Sequence, residues 1–139
     1  MFGTTKHTAY GSLEPYTPQE PMRKLIAENN LLLMALSRFE IALGFGTKTV
    51  AQVCADNGVD TSTFLAVANF LSDRPYERFE ISLPSLVKYL KNAHTYFLDF
   101  ILPEIRRKLI ESINCSDPAN VGFLILRFYD GYVEEVRRH

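Results

Sequence analysis

Tryptophan is absent from this 139-residue chain, cysteine occurs twice and histidine three times. The two cysteines, Cys54 and Cys115, are far apart. They form neither a disulfide framework nor a paired zinc motif, and a reducing cytoplasm is the expected setting. No apolar run approaches the roughly 20 residues of a membrane span. The opening Met1-Phe2-Gly3-Thr4-Thr5-Lys6 lacks the basic-then-apolar order of a secretory signal, so the expectation is no membrane and no export. One-sided charge is lacking too. With 15 basic and 16 acidic residues the formal net charge is −1, which supplies no broad positive field for nucleic acid.

What the chain does have is apolar and aromatic. Hydrophobic residues make up 47%, with ten Phe and seven Tyr, enough for a core built largely from rings if the helices find partners for their apolar faces.

Gly3, Gly11, Pro15 and Pro18 mark residues 1–20 as an irregular arm, either mobile or laid as a strap over the first domain. Residues 21–72 read as a small domain of three short helices. The first is predicted from Met22 to about Phe39, with Leu25, Ile26, Leu32, Leu33, Leu36 and Phe39 at helical spacing. Gly44-Phe45-Gly46 interrupts that pattern. The second helix starts at Thr49, with Gln52 completing a capping box, and stops at Asn57-Gly58. Asp60 caps the third, which carries Phe64, Leu65, Val67, Ala68 and Leu71.

The polar, proline-containing residues 73–82 read as a linker. A long helix is expected from about Leu83 to Ile113. Within it Pro103 deletes the hydrogen bond to the carbonyl of Asp99 and predicts a bend. After a turn at Asn114-Cys115-Ser116-Asp117-Pro118, a last helix runs from about Ala119 to the end, making a helical hairpin. The predicted fold class is all-α.

Few residues suggest chemistry. His7 lies in the arm and is given no role. On a helical wheel His94 interrupts the apolar stripe of Val87, Leu90, Phe97, Ile101 and Ile105. His139 is in phase with Leu124, Ile125, Phe128, Tyr132 and Val136. A histidine so placed is either a hydrogen-bonded core residue or a ligand. Two of them on adjacent antiparallel helices fit the way bundles present imidazole to a metal. Cys54, alone on an apolar face, reads as core packing. Glu104 is about three turns from His94, out of reach of the same ion. Glu135, one turn from His139, could reach it but reads as a solvated side chain.

The run Leu86-Val87-Lys88-Tyr89-Leu90-Lys91-Asn92-Ala93-His94, with Leu102-Pro103-Glu104-Ile105, resembles the first helix of the hemerythrin-like cation-binding domain. Residues 128–139, ending in His139, are similar to that family's second helix. Residues 36–54 resemble the short domain that precedes this bundle in iron-sulfur cluster repair di-iron proteins, although Ala42-Leu43 stand where that family has adjacent cysteines. The resemblance spans residues 22–139. It implies that 83–139 form half of a hemerythrin-like four-helix bundle, with His94 and His139 as metal ligands. It also implies a non-haem di-iron centre in the complete protein, incomplete here, and repair of iron-sulfur clusters after oxidative or nitrosative damage. Iron-sulfur proteins are then implied partners. No nucleophile or acid–base dyad marks the chain as an enzyme.

The apolar face of the hairpin predicts a homodimer. The competing reading takes residues 49–71 as a helix-turn-helix-like regulatory or protein-interaction module. That stretch has no Lys or Arg, while Asp56 and Asp60 are acidic, which opposes DNA binding.

Overall fold

A computed structural model describes residues 13–113 and 121–139. It is all-helical among these residues, with one isolated antiparallel bridge, between Pro21 and Thr49. The chain divides into two compact units, one running through Leu90 and the other Lys91–His139. The turn expected at 114–118, Cys115 and His7 lie outside the described residues.

The first unit begins with a strap. Tyr16 is buried, and the side-chain amide of Asn69 meets both of its backbone groups. Asn69 Oδ1 accepts from the Tyr16 N–H at 2.7 Å, and Nδ2 donates to the Tyr16 carbonyl at 3.3 Å. The strap alternative for the end of the N-terminal arm therefore holds from Leu13 onward.

Four helices come after the strap. α1 is Met22–Glu28 and α2 is Leu32–Arg38, so the single helix expected over 22–39 is divided. Asn29 divides it. Its backbone is extended, its Oδ1 accepts from the Leu31 N–H at 3.1 Å, and its Nδ2 donates to the Leu71 carbonyl at 3.2 Å and the Ser72 hydroxyl at 2.9 Å. A side-chain amide that offers the backbone a competing partner ends a helix even where the apolar spacing continues. The expected three-helix domain is thus corrected to four short helices.

α3, Val50–Asp56, starts where Thr49 predicts. Thr49 and Gln52 form the reciprocal capping box. The other leading N–H groups are met by the strap, Val50 donating to the Glu20 carbonyl at 2.9 Å and Ala51 to that of Pro18 at 3.0 Å. The first donors of a helix have no partner within it, so the strap completes α3. Gly58, at φ +66°, ends it, and Val59 N–H reaches back to the Cys54 carbonyl at 2.9 Å. α4, Thr61–Leu71, is capped by Asp60, whose carboxylate accepts from the Thr63 N–H at 3.0 Å.

The core gathers Met22, Leu25, Leu32, Leu36, Val50, Val53, Phe64 and Leu65 around Phe39. Phe39 meets Phe64 edge-on at 5.5 Å and Tyr89 at 4.8 Å between ring centroids.

Residues 73–82 are not a free linker. Phe79 packs on the core, Ser82 N–H donates to the Thr63 hydroxyl at 2.7 Å, and Tyr76 meets Phe70 edge-on. The first turns of α5, Leu83–Tyr96, join the same unit through Tyr89 and a Lys88–Glu40 ion pair. The boundary therefore falls inside α5 rather than at 73–82, because Phe79 packs on the core and Tyr89 of α5 belongs to it.

In the second unit α5 continues through a π-turn, Phe97–Ile101, into α6, Leu102–Ile113, and α7 is Val121–Arg138. α6 and α7 pair as an antiparallel hairpin. Leu102 and Gly122 are its buried residues among those described. A side chain on Gly122 would meet Ile113 at 2.6 Å, so glycine is what lets the two helices close at that end. Leu109, Ile110, Ile113, Leu126 and Val133 are half-buried along these two helices, and polar contacts cross between them. Arg106 grips the Asp130 carboxylate with two bonds of 2.8 and 3.1 Å, and the Tyr129 hydroxyl donates to the Leu102 carbonyl.

Candidate functional site

The hairpin carries the two histidines singled out by the sequence. Arg137 of α7 donates to the Leu98 carbonyl at 3.2 Å. His94 lies one turn before Leu98 and His139 two residues after Arg137, so the antiparallel register places both at the same end of the hairpin. Both are exposed, the side chain of His139 at 83%. His139 Nε2 lies 3.6 Å from Glu135, which also pairs with Arg138.

The helical-wheel stripe is altered by the π-turn. One extra residue per turn shifts the phase by about 100°. Leu102, rather than Ile101, therefore falls in line with His94, and Leu102 is the residue buried in the hairpin while Ile101 and Ile105 are exposed. Ahead of Pro103, where a bend is expected, the helix changes its hydrogen-bond register over Phe97–Ile101.

Along the hairpin the ionic groups are largely committed to one another. Arg107 lies between Glu104 and Glu111, and that guanidinium holds the Glu104 carboxyl below the usual range. Arg106 does the same for Asp130. The basic run Arg106-Arg107-Lys108 is thus an ion-paired surface in its first two members. Among the described residues no group of three His, Cys, Asp or Glu side chains is disposed to hold a metal ion. The donor set of the described residues by itself does not fit a di-iron centre.

More prominent is the uncovered apolar surface. On α7 Val121, Leu124, Ile125, Phe128 and Tyr132 are all exposed, Phe128 at 78%. At about 100° per residue these five fall within an arc roughly 100° wide. The face of α7 toward α6 is a different one, through Gly122, Tyr129 and Val133. A helix apolar over so much of its circumference has a surface suited to a second neighbour. The sequence located this stripe, but not the ion pairs and carbonyl bonds of Tyr129, Asp130 and Arg137, for which no local pattern exists.

In the first unit Cys54 is fully buried, and desolvation pushes its thiol up to about 11, so it remains protonated at neutral pH and packs as an apolar side chain. α4 buries Thr63, Phe64, Leu65, Ala66, Ala68 and Asn69. A recognition helix presents its first turns to base edges, whereas here those turns are core.

No protein-family model, curated protein or solved structure matches this chain.

Proposed function

We propose that the second unit is one half of a hemerythrin-like four-helix bundle, and that a second copy of the chain covers its open face. In this reading His94 and His139 are the chain's contribution to a non-haem iron site that is complete only in a closed bundle, and the protein serves the repair of iron-sulfur clusters damaged by oxidative or nitrosative stress. The observation that supports it is the register of the π-turn against α7, Arg137 on the Leu98 carbonyl, which puts residues 94 and 139 toward one end of a hairpin with an uncovered apolar arc.

A second copy is favoured by charge. Residues 91–139 contain equal numbers of basic and acidic side chains, so two such units meet without net repulsion. A two-fold contact also needs only a patch that matches itself, as an apolar helix stripe does.

Light scattering of the full chain after anaerobic ferrous loading, with elemental analysis of the same fractions, tests the reading. The expected result is the mass of two chains, with retained iron that falls on His94→Ala or His139→Ala. A single-chain mass, or iron retention indifferent to both substitutions, overturns it.

A further inference from the structure

The π-turn creates a hydrogen-bonding problem that one side chain solves. Leu102 N–H donates to the Phe97 carbonyl, one residue further back than in an α-helix. The Leu98 carbonyl thereby loses its ordinary donor. The next nitrogen along is that of Pro103, which has no hydrogen. Polar backbone groups left without a partner are costly in proportion to their burial, and helices that leave the α pattern recover partners from elsewhere. Here the donor comes from the far end of the hairpin, as the Arg137 guanidinium reaches the Leu98 carbonyl at 3.2 Å. A second nitrogen of the same group lies 3.9 Å from the Asp99 carboxylate. A planar guanidinium can serve both acceptors at once, where an ammonium is a single point charge.

We propose that Arg137 is a latch that holds the Phe97–Ile101 segment in its π register and ties the last turn of α7 to it, so that the two open and close as one unit. Without the latch the Leu98 carbonyl is left to water, and the Leu102 N–H is free to move between the Phe97 and Leu98 carbonyls, the second of which converts the π-turn to α-helix. That conversion rotates the chain before the turn by about 100° relative to the chain after it. The latch therefore governs which residues of α5 fall in line with buried Leu102. It stands on backbone accounting alone and does not depend on whether the hairpin takes part in an iron site.

Amide hydrogen exchange of the full chain, read residue by residue, tests the latch with Arg137→Ala, Pro103→Ala and the double variant. Arg137→Ala is expected to speed exchange of the Leu102 amide and of the amides in the last turn of α7 together, by about tenfold, as for loss of one charge-assisted bond. Amides of the first unit should not change. Pro103→Ala supplies an N–H that can reach the Leu98 carbonyl, so in that background the effect of Arg137→Ala should drop to about twofold or less. Unchanged exchange at Leu102, faster exchange of the α7 end alone, or an undiminished effect beside Pro103→Ala would each overturn the proposal. Should Arg137→Ala unfold the hairpin, Arg137→Lys replaces it. Lysine keeps one donor, and a smaller, parallel acceleration of both segments is then expected, with non-parallel change counting against the latch.

Discussion

The two units have similar proportions of apolar residues and use them in opposite ways. In the first, the strap, four short helices and the start of α5 converge on Phe39, Phe64 and Tyr89, and Tyr16, Met22, Leu25, Leu32 and Val50 are all fully enclosed. In the second, Leu102 and Gly122 are the buried residues among those described, and large side chains of α7 face outward. The difference is one of connection. Short helices joined by tight turns can surround a common centre, whereas two long helices meet along a single line and leave the remaining apolar width uncovered. Stability in the first unit comes from its own core. The second has Leu102, Gly122 and a row of half-buried apolar side chains, with exposed ion pairs and carbonyl bonds crossing between its helices.

The sharpest test of this contrast is Phe64→Ala. Truncating a fully enclosed ring costs about 3–5 kcal/mol, and urea unfolding followed by circular dichroism should show the first unit melting well before wild type. Phe128→Asp probes the opposite case. Because Phe128 is exposed, its loss should leave single-chain stability within about 0.5 kcal/mol while weakening self-association at least about tenfold, measured by sedimentation. Equal effects of the two substitutions on chain stability would erase the distinction between the units.

Asn69→Ala comes next. It removes the amide that meets both backbone groups of Tyr16, and leaving these unsatisfied should cost about 1–3 kcal/mol and expose the strap to limited proteolysis.

Alkaline pH tests the strap more gently. Burial, then the hydrogen bond to Glu28, pushes the Tyr16 phenol up to about 12 from 10.0. The folded chain therefore holds this proton where the unfolded chain has released it. Stability contributed by Tyr16 is intact below pH 10 and declines from there toward pH 12. Tyr16→Phe should flatten that decline in a pH series of thermal melts.

The smallest expected effect is at Asp73, which ends α4 at φ +53° with Arg74 N–H returning to the Asn69 carbonyl. Asp73→Gly relieves a left-handed backbone and should stabilise the first unit by about 0.5–1 kcal/mol in the same unfolding assay.

The sequence by itself determined what is local. Thr49 with Gln52, Asp60 and Asn57-Gly58 place helix ends because each cap acts within three or four residues of the backbone it satisfies. Apolar spacing likewise revealed the amphipathic hairpin and its stripe. The tertiary structure alone decided what depends on distant partners. Asn29 breaks the first helix by bonding the Leu71 carbonyl 42 residues away. Phe79 packs an apparent linker onto the core, and Arg137 meets a carbonyl 39 residues earlier at the π-turn. That π-turn shifts the phase of every residue beyond it, so the side chains that line up with His94 are set by a hydrogen bond made across the hairpin and not by the spacing along the chain.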